Sequence, residues 1–340
     1  MIKKLNILEA VRGGAALYVF LGHLILGSFI AKSNLMSIFF RFGQEAVILF
    51  FLMSGFVIEL SGLRKKSSFQ DFFLKRFFRI YPLFFLGILL ILVFKIIYHL
   101  PIEVKTLLGN LLMLQDAESL KPGTIVGTYG NTALWSLSYE WWFYMLFVPI
   151  SSFKNKNTIA ITIVAFSAIL YFFYPFQLIR WLMYFGIWWS GVMLADFMIL
   201  GKINFKNIIT KIIGPLLGLP LLLSIVKATN LKYVAIGVYP ILEIRHFFSA
   251  IVFIIVALIW RKINWLGYNY INFFEKIAPF SYGLYVLHLP LILILETLMQ
   301  NQVENSFIRF AIISLSVLFC SYLLETKFQK KLNFFLSKKS

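Results

Sequence analysis

The chain has 340 residues, of which 60% are hydrophobic and 14% charged, and its mean hydropathy is +0.85. This composition excludes an ordinary soluble globular domain. The formal charge of +18 is of the kind seen in nucleic-acid-binding proteins, but in so apolar a chain we attribute it to membrane topology and to attraction toward anionic lipid. We therefore expect no nucleic-acid partner.

Ten stretches of the sequence are mostly apolar and approach the length of about 20 residues that a helix needs to cross a bilayer. We therefore predict an all-α integral membrane protein with about ten transmembrane helices. The predicted spans are residues 7–30, 38–60, 83–100, 134–152, 159–174, 178–200, 212–226, 241–260, 277–299 and 307–324.

The distribution of basic residues predicts the orientation. Ten spans place both termini on one side, and most lysines and arginines lie in the connections on that side. Basic residues mark cytoplasmic connections, so we predict cytoplasmic termini and a multi-pass protein of the cytoplasmic (inner or plasma) membrane. Residues 1–326 are predicted to form one transmembrane domain, and residues 327–340 a basic cytoplasmic tail.

The first span contains RGGAALYVFLGH, with Arg12 and His23 at its two ends. Ionisable residues inside a bilayer are costly and are functional candidates by default. Eleven residues of helix return to within about 20° of the same face and advance about 16 Å, so both side chains follow one seam. Arg12 is near the inner end and is equally explained by snorkelling, whereas His23 lies deeper and favours a functional role.

Two carboxylates are predicted at a depth similar to that of His23. Glu45 and Glu140 each lie near the outer end of their spans. A histidine beside a carboxylate can be held in one tautomer and act as a base, so we expect these three side chains to converge. Either carboxylate is also explained as a structural hydrogen-bond partner, and for Glu45 the two interpretations have equal weight.

Further polar residues lie in later spans. His288 is near the middle of the ninth span, where helix packing and catalysis explain it equally well. Arg245 and His246 are nearer the outer end of the eighth span, so we expect them to face water and the acceptor, with Glu243 as a local partner.

Two connections have features of their own. Residues 61–82 alternate basic and aromatic side chains, as in a helix that lies in the membrane interface. Within it, KRFFRIYP places Arg76 and Arg79 on one helix face. Paired guanidinium groups suit phosphate, although the excess of cytoplasmic charge alone explains them. In the longest outer connection, residues 101–133, residues 107–114 are apolar but too short to span.

Taken in order, several of these segments resemble motifs of the acyltransferase type 3 family. The first span is similar to the family's opening motif, although Glu9 and Ala10 stand where aspartate and glycine are usual. The segments LFFLMSGFVI, SYGLYVLHLP and YLLETKF are also similar to family motifs, although Lys327 replaces a common proline. The residues that carry the main motifs are Glu9, Arg12 and His23, then Arg76 and Arg79, then Trp135, Ser136 and Glu140.

The resemblance implies transfer of an acyl group, most often acetyl, from cytoplasmic acyl-CoA to a hydroxyl of an extracytoplasmic glycan. It implies His23 as the essential catalytic residue and associates Arg76 and Arg79 with the donor. Compatible acceptors are lipopolysaccharide O-antigen, capsule, exported polysaccharide and peptidoglycan. The expected co-substrate is acyl-CoA, and no metal is expected.

Our hypothesis assigns the remaining candidates around His23. His23 either deprotonates the acceptor hydroxyl or carries the acyl group itself, and Glu140 orients the acceptor or the imidazole. Trp135 offers a stacking face for a sugar. Arg64 and Lys65 assist the arginine pair, and Glu9, Arg12, Glu45 and His288 support the site.

Two other classes of function fit parts of the sequence. Buried polar residues also line the paths of transporters and flippases, although we find no clear inverted repeat. A glycosyltransferase that uses a lipid-linked sugar would present acidic residues in an outer loop, where Asp116 and Glu118 lie. The ordered motifs favour the acyltransferase over both.

Overall fold

A computed structural model describes residues 2–27, 38–62, 68–231, 233, 235–329 and 331. This part of the chain is almost entirely helical, and nine of its helices are long and apolar enough to cross a membrane. The predicted all-α polytopic membrane fold is therefore confirmed. The orientation relative to the cytoplasm stays a prediction, so the two ends of the helices are called here the terminus side and the far side.

We number the helices in chain order. They are α1 (Ile2–Gly27), α2 (Gly43–Leu60), α3 (Phe69–Ile97), α4 (Val104–Leu111), α5 (Trp135–Ile150), α6 (Lys156–Phe173), α7 (Gln177–Ile199), α8 (Phe205–Thr229), α9 (Ile241–Lys262), α10 (Ser281–Met299) and α11 (Ser306–Leu323). The middle of α8, Ile209–Gly218, is a π-helix, and α11 continues as another, Leu324–Gln329. Strands β1 (Gln115–Asp116) and β2 (Val126–Gly127) pair in parallel between α4 and α5.

Three elements differ from the prediction in length or in position. The fourth span is the 16-residue helix α5, which is shorter than the predicted 19 residues. The predicted interfacial helix is not separate from the third span, because α3 runs unbroken for 29 residues from Phe69. Ser68 begins it with a reciprocal capping box, in which its hydroxyl accepts from the Asp71 amide and the Asp71 carboxylate accepts from the Ser68 amide. Helix α4 overlaps the predicted 107–114 segment but begins earlier, at Val104, and its eight residues are too few to span, as expected.

Small residues allow the closest helix contacts. A Cβ atom at Gly55 of α2 would lie 2.0 Å from the carbonyl oxygen of Trp188 in α7, and one at Gly191 would lie 2.0 Å from that of Leu52. Only glycine permits this approach, as is usual between membrane helices. Helix α7 is the most buried of the nine spans, so it forms the centre around which the others are arranged.

The glycine that follows Arg12 has a comparable packing role. A Cβ atom at Gly13 would lie 2.1 Å from the carbonyl oxygen of Phe274, in the short helical turn Asn272–Lys276 that precedes α10. The first half of α1 is therefore held directly against the entry to α10. This contact fixes Arg12 beside the first residues of α10.

Candidate functional site

A cavity of about 190 Å³ opens among α1, α2, α3, α5 and α10, toward the terminus-side ends of α1 and α2. We call it the terminus-side cavity. Its charged lining residues are Glu9, Arg12, Arg76, Arg79 and Glu140. The structure therefore brings together the arginine of the first-span motif, both arginines of KRFFRIYP and the glutamate of the fourth-span motif, which are far apart in the sequence.

Two of the three arginines in this cavity are paired with carboxylates. Nη2 of Arg12 lies 2.5 Å from Oε2 of Glu9 and donates to the carbonyl oxygen of Ala278 at 3.1 Å. Nη2 of Arg79 lies 2.6 Å from Oε1 of Glu325, a carboxylate that is almost fully buried. Both guanidinium groups are thus held in place, and their charges are compensated locally.

Arg76 differs from the other two. Its guanidinium carbon lies 5.6 Å from the ring centroid of Phe72 and 5.5 Å from that of Tyr144, within the range of a cation–π contact. Among the described residues it has no carboxylate partner, and its buried Nε has no hydrogen-bond acceptor. An uncompensated guanidinium in a cavity is suited to bind an anion.

Glu140 is fixed on the wall of the same cavity. Its Oε1 accepts hydrogen bonds from Ser54 at 2.7 Å and from the hydroxyl of Tyr144. The indole of Trp188 donates to the Ser54 hydroxyl at 3.1 Å. Glu140 is therefore a member of a hydrogen-bond network on α2, α5 and α7, and this network faces Arg76 rather than His23.

A larger cavity of about 570 Å³ opens toward the opposite ends of α1 and α2. We call it the far-side cavity. His23 lines it near the end of α1, Gln44 at the start of α2, and Trp135 at the start of α5. The α4–α5 connection contributes residues 117–120, 127, 128, 132 and 133. The other lining residues are Val19, Gly22, Leu26, Phe40, Arg41, Gly43, Val47 and Tyr285.

The side chain beside His23 is the imidazole of His288 and not a carboxylate. The ring centroids of His23 and His288 are 5.1 Å apart. Nδ1 of His288 is 2.9 Å from the carbonyl oxygen of Leu284, and because a carbonyl only accepts, Nδ1 carries the proton. Nε2 of His288 then keeps a free lone pair, and it is buried without a partner among the described residues.

The three residues expected to converge are therefore separated in the structure. His23 lines the far-side cavity and Glu140 the terminus-side cavity. Glu45 lines neither of them and pairs with Arg245 of α9, with Oε1 2.5 Å from Nη2. The sequence predicts how far along its helix each polar residue lies. It does not predict the direction in which the side chain points around the helix axis.

His246 does not face water, contrary to the expectation from sequence. It is fully buried, and its ring stacks parallel to Trp135 with centroids 5.8 Å apart. Its Nε2 donates to Oε1 of Gln44 at 3.1 Å, and its Nδ1 accepts from the hydroxyl of Tyr184 at 2.7 Å. Glu243 is buried as well and accepts from Tyr171 at 3.2 Å. His246 thus supports the cavity wall from behind.

Trp135 has only 5% of its surface exposed. Besides the stacked His246, Nζ of Lys121 lies 3.5 Å from its ring centroid. Other side chains of the protein therefore cover most of the surface of the Trp135 ring. The side chain lines the far-side cavity, but the wide stacking platform expected for a sugar is not present in this arrangement.

A buried ionic network holds the connection that forms the far-side wall. Asp116 accepts from Lys121 at 3.1 Å and from Arg180 and Tyr139, each at 2.6 Å, and all four side chains are buried. Burial raises the pKa of Asp116, but the charges of Lys121 and Arg180 outweigh it and lower the pKa overall. Burial lowers the pKa of Lys121 to about 8, which the charge of Asp116 offsets only in part.

This network was missed at the level of sequence, although one signal for it was present. Arg180 lies inside the predicted span 178–200, so the rule that singled out Arg12 applies to it equally. Asp116 was considered only as an exposed acidic residue of a glycosyltransferase loop. Its complete burial and its two cationic partners give it a structural role, so of these two acidic residues Glu118 is the one exposed in the far-side cavity.

Other candidates lie outside these sites. Arg64 and Lys65 fall outside the described residues, as does most of the predicted tail 327–340. In the part of the chain that the structure covers, no group of three or more His, Cys, Asp or Glu side chains is placed to hold a metal ion.

Comparison with known proteins adds to the geometry. The family model described as an acyltransferase domain matches residues 5–326 of this chain. The chain is also similar to the acyltransferase MdmB of Streptomyces mycarofaciens, with 35% identity over 156 residues, which are 43% of this chain and 39% of that protein. The chain thus spans about two fifths of the length of the curated relative that it matches. No solved structure is significantly similar.

Proposed function

Because this chain belongs to the acyltransferase type 3 family, we propose that it transfers an acyl group, most simply acetyl, from acyl-CoA to a hydroxyl group of a glycan across the membrane. One observation carries the proposal. The two cavities lie toward opposite ends of α1 and α2, and both reach Val47 and Tyr285. A donor and an acceptor can therefore approach one point from opposite sides.

The terminus-side cavity is the proposed donor site. Arg76, whose charge is not compensated, and Arg79 bind the phosphate groups of coenzyme A, because guanidinium groups form bidentate hydrogen bonds with phosphate. Arg64 and Lys65, from the connection before α3, add positive charge. The pantetheine arm then extends past Arg12 toward Tyr285, and the thioester meets the far-side cavity there.

In the far-side cavity, His23 is the proposed general base. One nitrogen of His23 takes the proton of the acceptor hydroxyl as the oxygen forms a bond to the thioester carbonyl carbon. The C–S bond then breaks, and the thiolate takes the proton back from the imidazolium. The free lone pair on Nε2 of His288, whose ring lies beside that of His23, would accept a hydrogen bond from the other nitrogen of His23 during the reaction and so fix its tautomer. Transfer through an acyl-histidine uses the same two cavities.

The acceptor proposed for the far-side cavity is an exported glycan, such as lipopolysaccharide, capsule or peptidoglycan sugar. The cavity offers polar groups for sugar hydroxyls from Gln44, Glu118, Ser119 and Thr128. In this proposal Glu140 supports the donor, because it lies with Arg76, and the orientation is that of a cytoplasmic-membrane protein with its termini inside. Anionic lipid would neutralise the basic connections.

The test is transfer of label from acetyl-CoA. Membrane vesicles from cells that produce the protein are supplied with labelled acetyl-CoA, and the label in the glycan fraction is counted. We expect His23→Ala to lower the rate by at least about 100-fold, the usual contribution of a general base, and His99→Ala, at an exposed histidine in the turn after α3, to have no effect. Full transfer by His23→Ala would refute the proposed mechanism, and movement of a glycan without covalent labelling would indicate a transporter.

A further inference from the structure

The wall between the two cavities has a simple composition. On α1 and α2, residues toward one end line the terminus-side cavity and residues toward the other end line the far-side cavity. On α5 the two cavities adjoin at the first residues, where Trp135 lines the far-side cavity and Ser136 the terminus-side cavity. Among the described residues, Val47 of α2 and Tyr285 of α10 are the two that line both. The two cavities therefore meet at side chains of helices that are far apart in sequence.

We propose that Tyr285 and Val47 form a partition between the cavities and determine which acyl groups pass from the thioester to His23. The inference rests on the proposed function and assigns the residues that set its acyl specificity. On α10, Tyr282 lines only the terminus-side cavity, and His288, one turn beyond Tyr285, lies beside His23. The partition is thus the last obstacle before the reactive imidazole.

Tyr285 is held in position at its hydroxyl end. The hydroxyl is hydrogen-bonded to Oγ of Ser136 at 2.7 Å and also to the carbonyl oxygen of Ala133. A tyrosine hydroxyl has one proton and a carbonyl only accepts, so Tyr285 donates to Ala133 and accepts from Ser136. The side chain therefore bridges from α10 to the start of α5 and cannot turn aside without breaking both bonds.

The ring of Tyr285 is packed on its sides as well. Its centroid lies 6.2 Å from that of Phe50 and 6.2 Å from that of His288, and 9% of the residue surface is exposed. Val47, on the opposite helix, is β-branched and 4% exposed, so its side chain has little rotamer freedom. A partition made of two such side chains admits a small acyl group more readily than a long one.

The first test is independent of catalysis and measures the partition directly. Cys320 is the chain's one cysteine, so Cys320→Ser gives a cysteine-free background. Into it Thr132→Cys is placed as a reporter, because residue 132 is exposed and lines only the far-side cavity. Val57→Cys, which lines only the terminus-side cavity, is the positive control. A membrane-impermeant methanethiosulfonate is added from the terminus side of sealed vesicles.

With Tyr285 present, we expect the reagent to label Val57→Cys and to leave Thr132→Cys unlabelled. Tyr285→Ala should make Thr132→Cys reactive from the terminus side. Tyr282→Ala is the matched control, because it removes a tyrosine from the same helix one turn away without opening the partition. Equal labelling of Thr132→Cys with and without Tyr285 would overturn the inference.

The second test measures acyl selectivity with acetyl-, butyryl- and octanoyl-CoA in competition. We expect Tyr285→Ala to raise the octanoyl-to-acetyl ratio of kcat/KM by about tenfold or more, the discrimination typical of a steric apolar site. Tyr285→Phe, which keeps the ring, should keep the ratio. Val47→Ala should shift the ratio in the same direction, and it carries the test if Tyr285→Ala does not fold.

The outcomes separate the inference from the function on which it rests. Unchanged selectivity in both Tyr285→Ala and Val47→Ala would refute the assignment of specificity to the partition. If the unmodified protein transfers no acyl group from any thioester, the proposed function fails, and the labelling experiment still decides whether the partition exists.

Discussion

The two cavities are built in different ways. The terminus-side cavity collects its charges from three short motifs, and its charged side chains other than Arg76 are held by ion pairs or hydrogen bonds from adjacent turns or helices. The far-side cavity takes His23 and Trp135 from such motifs. Much of its remaining wall comes from the α4–α5 connection and from residues at and just before the start of α2, which converge only in the folded protein. The charged residues of the proposed donor site therefore lie in short motifs, whereas the proposed acceptor site depends more on tertiary packing.

The ion pairs near the two cavities differ in how deeply they are buried. Around the terminus-side cavity, the ion pair of Arg12 with Glu9 is partly exposed, and exposed pairs contribute little to stability. Behind the far-side cavity, Asp116 is fully buried with Lys121 and Arg180. Removing one partner of a buried pair is strongly destabilising because it leaves uncompensated charge. Damage to this network should therefore appear first as lost stability, whereas loss of the Arg12–Glu9 pair or of Arg76 should appear first as lost binding.

The largest effect is expected for Asp116→Asn. The substitution leaves Lys121 and Arg180 buried without their shared carboxylate, so the free energy of unfolding should fall by about 3–5 kcal/mol. Thermal unfolding in detergent, followed by tryptophan fluorescence, measures the loss. The matched control is Glu118→Gln, an exposed acidic position two residues away, where we expect no change in Tm.

Binding measurements on the same variant sharpen the comparison. At a temperature where Asp116→Asn is still folded, its affinity for coenzyme A should be close to that of the unmodified protein, because none of the four network residues lines the terminus-side cavity. A parallel loss of coenzyme A affinity would show that the two cavities are not independently supported.

The sequence predicted the helical membrane fold and most of its spans because apolar length is a local property. It also predicted the polar positions Arg12, His23 and Glu140. It did not predict that Glu140 faces Arg76, because the rotation of each helix about its axis is set by packing, for example by the contact of Gly55 with α7.

The start of α3 shows another feature that composition alone does not predict. Its basic and aromatic residues have the composition of an interfacial helix, but the capping box at Ser68 and continuous packing extend the span through Pro82. His246 shows a further such feature. Its place near a helix end predicted contact with water, whereas the α4–α5 connection, which has little hydropathy signal of its own, is folded over that end.

An effect of intermediate size on coenzyme A affinity is expected when Arg76 or Arg79 is replaced. The change in Tm should differ between the two variants. Arg76→Ala removes an uncompensated cation, so coenzyme A affinity should fall by about 1.5–3 kcal/mol, the range of charged hydrogen bonds, with little change in Tm. Arg79→Ala should weaken binding and also lower Tm, because it leaves Glu325 buried without its cation.

Equilibrium binding of labelled coenzyme A and thermal unfolding provide both readouts. Lys75→Ala, an exposed charge on the same helix, controls for the loss of positive charge in general. If Arg76→Ala lowered Tm as much as Arg79→Ala and left coenzyme A affinity unchanged, the assignment of the terminus-side cavity to the donor would be wrong.

The smallest effect is the pH dependence that Lys121 gives to the far-side support. Burial lowers its folded-state pKa to about 8, below the value of about 10.4 for an unfolded lysine. Between these two values the unfolded chain binds more protons, so stability rises with pH. The contribution of this one group to the free energy of unfolding is about 0.7 kcal/mol between pH 7.5 and 8.5.

Lys121→Met removes the titrating group while keeping an apolar chain against Trp135, so the Tm of this variant should no longer rise over that pH range. The rise should persist in Arg76→Ala, whose substitution is confined to the terminus side, and an unchanged rise in Lys121→Met would place the titration elsewhere in the molecule.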